Sequence, residues 1–324
     1  MAWRGKIART ATKKHKILAR YRSYHGATYG AITLTGDPRR PPVEPALPGV
    51  IHILDPYCYR CPVKLTHPDC DLWCLDYIEN TILRYETTAD QIAGLLIEPI
   101  EGEAGVIIPP DDYFPRLRAL CDKYGWYLCA DEVQTGFGRT GTMFCVEYWD
   151  VEPDVMPLAK ALSGGALPIA AVLSTEELLA ECELYLGGTF AWHPAACVGA
   201  LKGIEVMERD QVLKHVADLE HTALDRLGPL AAKYQIVGDV RIKGLFIALE
   251  FVKDKDSKEP AEELTREIHH ECVRRGLVPV HERGLWWLRL YPALNIPRST
   301  FTAACDILEA AIEAVSRKHG LGIA

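Results

Sequence analysis

The chain has 324 residues, of which 48% are hydrophobic and 25% charged, enough for a large core and a second domain. A net charge of -8, with no sustained basic stripe beyond the amino terminus, argues against nucleic acid as a partner. Apolar runs are broken by charge, Gly or Pro well short of the roughly 20 residues that a spanning helix needs, so no membrane association is expected.

In chain order, the first 36 residues hold no acid but carry Arg4, Lys6, Arg9, Lys13, Lys14, Lys16, Arg20 and Arg22. That composition suits an organellar leader. The stretch nevertheless runs without a linker into a short strand-like run over Ile17–Tyr21, so the favoured reading is a helix end followed by a strand, inside a domain. Eleven cysteines are scattered through the sequence, which fits a reducing compartment, and a cytoplasmic location is expected. Four of them, Cys58, Cys61, Cys70 and Cys74, form a C-x2-C, C-x3-C cluster. Such spacing can wrap a tetrahedral zinc ion, but reduced cysteines also serve as small packing residues, and no metal is expected here.

From residue 76 helical and strand-like segments alternate. "DYIENTILRYE" has helical spacing, "IAGLLIEPI" reads as a buried strand, "DYFPRLRALCDKYG" as an amphipathic helix stopped at Gly125, and "WYLCADEV" as a strand. "DVMPLAKAL" and "PIAAVLST" add short apolar runs, and "PAACVGALKGIEVMER" a long helix. The alternation predicts an α/β domain with a mainly parallel sheet over residues 1–205, with functional groups at strand ends. Beyond it, helical stretches at 211–234 and 260–275 alternate with strand-like "VGDVRIKGLFIALEFV" and "WWLRLYP", predicting a smaller α+β domain over 206–324.

Lys160 lies among small and apolar residues ahead of a Ser-Gly-Gly turn. It is either a solvated residue at a strand end or an amine partly desolvated so that its pKa falls and it can condense with a carbonyl. Asp131 ends the apolar run "WYLCA", where a carboxylate is costly unless a cation meets it. A pyridinium nitrogen is such a partner, and a capping role in the following turn is the plainer alternative.

The segments "LLIEPIEGEAGVIIPPDDYFPRLRALCDKYGWYLCADEVQTGFGRTG", "PDVMPLAKALSGG" and "GGTFAWHPAACVGAL" resemble, in order and spacing, the signatures of the class III aminotransferases, pyridoxal-phosphate enzymes of fold type I. The resemblance runs from about Ile17 to the carboxyl terminus. It implies that pyridoxal 5'-phosphate is the cofactor, Lys160 the residue that binds its carbonyl, and Asp131 the partner of its ring nitrogen. It further implies that Gln134 bonds the ring's 3-oxygen, that Val133 and Tyr24 cover its two faces with His25 beside them, and that Thr189 reaches the phosphate in the neighbouring subunit of a homodimer with shared sites. Arg289 is expected to clamp a substrate carboxylate, and Glu103 to pair with that arginine when the carboxylate is absent. The implied reaction is ping-pong transfer from an ω-amino acid (4-aminobutyrate, β-alanine or taurine type) to pyruvate or 2-oxoglutarate.

This sequence departs from the family pattern in three places. Ala161 and Ile242 stand where glycines are usual, and the Gly-Ser-rich phosphate loop that normally precedes the matched region is not in this sequence. The alternatives are therefore a truncated non-catalytic fragment or interaction subunit of the same fold, holding the cofactor weakly, and, further off, an aminomutase or epimerase.

Overall fold

The structure is a computed structural model that describes residues 3–182 and 188–322, with side chains from Lys6 onward. It contains two compact units, one of residues 1–137 with 144–208, the other of 138–143 with 209–324.

The first unit is built on a six-stranded sheet of order β2-β1-β3-β4-β5-β6. The strands are β1 (Lys16–Arg20), β2 (Val50–Ile53), β3 (Ile92–Ile97), β4 (Tyr127–Ala130), β5 (Val155–Leu158) and β6 (Ala171–Ser174). The first five run parallel, and β6 turns back antiparallel to β5. All six residues of β3 are buried, as expected of a parallel strand covered on both faces. Within it Gly94 lies so close to β4 that a Cβ would sit 2.2 Å from the Tyr127 carbonyl oxygen, which reserves the position for glycine. The amphipathic helix Tyr113–Tyr124 buries Tyr113, Phe114, Leu117, Leu120 and Cys121, and ends where Gly125 takes φ +61. On the sheet, Ile17, Leu96, Cys129 and Val155 form one cluster with Ile7 of the helix Trp3–Thr12 and with Leu178.

Because β2 and β3 flank β1 on opposite sides, the strand order reverses at β1. In sheets of this kind ligands bind beyond the carboxyl ends of the strands at such a switch point.

The second unit has an antiparallel sheet of β7 (Val237–Lys243), β8 (Phe246–Phe251) and β9 (Trp287–Leu290). The helix Arg298–Lys318 lies against the helices Glu262–Arg274 and Val212–Leu227, and buries Phe301, Leu308, Ile312 and Val315. Gly138–Met143, which the sequence grouped with the first region, belongs to this unit. Arg139 donates to the carbonyls of Leu245 (3.0 Å) and Pro292 (2.7 Å), contacts more than a hundred residues away that no local pattern announces. Among the described residues no helix is long and apolar enough to cross a membrane.

Glu132, buried beside Asp131, accepts from the Thr135 hydroxyl and from the Val146 amide (2.9 Å). Burial outweighs those bonds and pushes its carboxyl from the ordinary 4.5 up to about 7. A carboxyl raised on folding contributes stability that is complete below the unfolded pKa and lost as pH rises through the folded one. The stability of the wild type relative to Glu132→Gln should therefore fall by about 3 kcal/mol between pH 4.5 and 8, measured by urea unfolding of both proteins across that range.

Candidate active site

Five parallel strands each deliver charged or hydrogen-bonding groups just past their carboxyl ends: Tyr24 and His25 after β1, Asp55 after β2, Glu98 after β3, Asp131 after β4 and Lys160 after β5. Asp131 is 3% exposed and His25 1%. The His25 Nδ1 lies 2.7 Å from Asp131 Oδ2, and the Val133 amide donates to Oδ1 at 3.3 Å. A proton on Nδ1 would be donated to that oxygen, and the contact fixes the direction of the carboxylate. The Thr35 hydroxyl in turn holds the His25 amide at 3.0 Å. Val133 is buried, while Gln134 and Tyr24 are half-buried.

Lys160 opens a short 3-10 turn at φ +43, a backbone conformation rare outside glycine that costs of order 1–3 kcal/mol and clusters at functional positions. Its side chain is exposed, so this unit's own groups do not supply the desolvation expected for its amine. Lys160 lies within electrostatic reach of Glu98, and is one of the charges that pull that carboxyl down.

Glu98 belongs to a buried charge network that the sequence reading passed over. Its carboxylate accepts the amides of Tyr24 (2.8 Å) and Gly102 (3.1 Å), tying the segment after β1 to the end of β3. Burial still raises its pKa. The Arg20 guanidinium, fully buried, donates to the Glu98 carbonyl and approaches Glu101 at 2.9 Å, an ion pair without hydrogen-bond alignment. Burial raises Glu101 well above its ordinary value despite that arginine. Arg22 grips Asp55 with two bonds of 2.6 Å and lies 5.0 Å over the Tyr57 ring. The signal that singled out Asp131, an acid directly after a buried apolar run, is equally present at Glu98.

The remaining expected residues are placed as follows. Glu103, half-buried, meets Arg39 at 3.4 Å within the first unit. Arg289, on β9 in the second unit, is 1% exposed and pairs with Glu282 at 2.8 Å in that same unit. Thr189 is exposed, with Phe190 (83%) and Trp192 (85%) beside it. Cys58, Cys61, Cys70 and Cys74 are free thiols lining one cleft with His67 and Trp73. Burial first, and then neighbouring cysteines, push the Cys74 thiol up to about 12. Among the described residues no group of three or more His, Cys, Asp or Glu side chains is arranged to hold a metal ion.

A flat cationic heterocycle bearing a carbonyl needs a buried acceptor-only carboxylate for its ring N–H, an amine for its carbonyl, an amide for its phenolic oxygen and two nonpolar faces. Asp131, Lys160 and Gln134 carry groups of those kinds and Val133 and Tyr24 surfaces of that kind, so the residues present fit pyridoxal phosphate. With the strand order, they define a fold type I pyridoxal-phosphate protein.

The family profile described as Aminotransferase class-III matches residues 1–312. The chain is 38% identical over 309 residues to the leucine/methionine racemase of Thermococcus litoralis, covering 95% of this chain and 69% of that protein. It is 37% identical over 278 residues to the 4-aminobutyrate aminotransferase of Escherichia coli, covering 84% and 63%. An amine transaminase from an uncultivated Pseudomonas species, solved with pyridoxal phosphate bound, superposes with a TM-score of 0.89 at 31% identity, covering 97% of this chain and 73% of that one. The taurine:2-oxoglutarate aminotransferase of Bifidobacterium kashiwanohense gives 0.88 at 32%, covering 96% and 72%. The chain belongs to the class III aminotransferases, an enzyme family that uses pyridoxal phosphate.

Removing one partner of a buried ion pair leaves an uncompensated charge. Arg20→Leu should therefore cost about 3–5 kcal/mol, and the Arg20→Leu/Glu101→Leu double variant markedly less, read from urea unfolding midpoints.

Proposed function

We propose that this protein is a transaminase that moves an amino group from an ω-amino acid of the 4-aminobutyrate, β-alanine or taurine type to a 2-oxo acid, the two substrates occupying the site in turn. The observation that carries the reading is the Asp131–His25 pair, a buried carboxylate locked at 2.7 Å after β4, with Lys160 following the neighbouring strand β5.

Bound pyridoxal phosphate supplies a carbonyl for amines to condense with and a ring that draws electrons from the adjoining carbon. The chain's own residues do the rest. Asp131, held by His25, would keep a proton on the ring nitrogen. Val133 and Tyr24 would offer surfaces for the ring, and Gln134 a donor for the 3-oxygen. The Lys160 amine would hold the cofactor carbonyl between turnovers and, once displaced, would move a proton from the donor's amino-bearing carbon to the carbonyl-derived carbon, and in the reverse direction for the acceptor.

The ω-amino acid class rests on Glu103 lying beside an arginine, a pair that a substrate carboxylate can replace. Arg289 is assigned to a substrate carboxylate as well, its fork suiting bidentate recognition. A homodimer is proposed from the exposed apolar side chains that follow Thr189 in the sequence, Phe190, Trp192, Val198 and Leu201. In such a dimer Thr189 would bind the neighbouring cofactor's phosphate. The cysteines are all free, which supports a reducing, cytoplasmic setting.

A second reading, racemisation of an amino acid, is favoured by the similarity to the leucine/methionine racemase. It shares the removal of the proton from the amino-bearing carbon by Lys160, but a proton returns to that same carbon from the opposite face, so no acceptor is needed. The holoprotein should form glutamate or alanine from 4-aminobutyrate, β-alanine or taurine only when 2-oxoglutarate or pyruvate is supplied, and Lys160→Ala should reduce that rate by at least 10³-fold, consistent with the loss of the group that moves the proton. Interconversion of L- and D-leucine without any 2-oxo acid, with no transfer from ω-amino acids, would replace the first reading by the second.

A further inference from the structure

The helix Glu262–Arg274 and the segment that precedes β9 bring three histidines together in the second unit. The rings of His269 and His281 lie 5.3 Å apart between centroids, tilted by 38°, and the exposed His270 ring is 5.8 Å from that of His269. Glu262 stands two turns before His269 on one face of the helix, and its carboxylate is within electrostatic reach of His281. None of these side chains has a part in the chemistry assigned to Lys160 and Asp131.

The place of His281 is set by the sheet. Val280 exchanges both backbone hydrogen bonds with Arg289 of β9, at 2.8 and 3.0 Å. Backbone carbonyls then orient the two rings: that of Trp287 accepts from His281, and that of Pro279 from His269. Each of these bonds puts the ring proton on one nitrogen and the lone pair on the other. In His281 the nitrogen left over is Nδ1, which is shielded from solvent and has no hydrogen-bond partner. A buried lone pair of this kind is costly until a proton donor or a cation meets it.

A carbonyl on the far nitrogen is also the outer contact typical of a metal-bound histidine. Two imidazoles on one ion, each nitrogen about 2.1 Å from it and roughly 90–110° apart, have ring centroids about 4.5–5.3 Å from each other. The His269–His281 separation of 5.3 Å meets that requirement. His269 is half-buried and His270 exposed, so an ion can reach the pair from solvent.

We propose that His269 and His281 form a two-imidazole site for a divalent transition-metal ion of the nickel or zinc type, with Glu262 supplying negative charge nearby. Two protein donors are what the described residues offer, since no third His, Cys, Asp or Glu is arranged to share the ion, and water completes its shell. The bound ion ties the helix Glu262–Arg274 to the segment paired with Arg289. It takes no part in amino transfer.

The test is calorimetric titration of Ni²⁺ into the full chain, loaded with pyridoxal phosphate and freed of excess cofactor. The wild type should bind Ni²⁺ saturably, and His269→Gln and His281→Gln should each weaken that binding at least tenfold. His270→Gln, and Cys58→Ser in the thiol cleft, should stay within a factor of two of the wild type. Ni²⁺ should also raise the thermal unfolding midpoint of the wild type and of His270→Gln but not that of His281→Gln, as expected of a ligand that binds only the folded chain. If His281→Gln does not fold, His269→Gln, whose side chain is partly in solvent, decides alone. No saturable Ni²⁺ binding by the wild type, unchanged affinity in His269→Gln, or a loss in His270→Gln or Cys58→Ser as large as that in His269→Gln would each overturn the proposal.

Discussion

A carboxylate at the end of a buried strand is the constraint from which the site follows. Asp131 has almost no contact with water, and the Born cost of an unpaired charge there is prohibitive. His25 meets one oxygen at 2.7 Å and fixes its direction. A protonated ring nitrogen at the carboxylate would offset much of the remaining cost, which is the role proposed for Asp131.

The sheet supplies the frame for that demand. Parallel strands direct their carboxyl ends to one edge, so groups far apart in sequence converge: residues 24 and 25, 55, 98, 131 and 160 all lie in the segments that follow strands of one sheet. Around them Arg20, Arg22, Asp55, Glu98 and Glu101 form a network whose charges are mostly inside the protein. Such networks contribute little net stability, but with one member missing the others become destabilising. Its value here is positional, because Glu98 holds the amides of Tyr24 and Gly102 and so sets where Tyr24 and the Glu103 loop lie relative to β3.

Much of this was legible in the sequence, and for identifiable reasons. The strands around "IAGLLI" and "WYLCA" are continuous apolar runs bounded by polar residues, the pattern of a strand buried on both faces. The helix over Tyr113–Tyr124 carried its own stop at Gly125. The alternation of elements led directly to a parallel sheet, and family resemblance supplied what periodicity alone does not, the roles proposed for Lys160 and Asp131. Other features were not readable because they depend on contacts between distant residues. Arg20 reads as one more base in an acid-free stretch until Glu101, 81 positions on, closes over it. Arg39 reads as a turn residue in "DPRRPP" until the loop folds it over Tyr24. The antiparallel direction of β6 and the membership of Gly138–Met143 in the second unit are likewise set by long-range pairing.

The central claim is that Lys160 is the residue that bonds to the cofactor. Borohydride reduction of the pyridoxal-phosphate-loaded protein, followed by digestion and mass spectrometry, tests it most directly. The account predicts a single pyridoxyl label on the peptide containing residues 154–173, located on Lys160 and absent from Lys160→Ala. A stoichiometric label on any other lysine would contradict it.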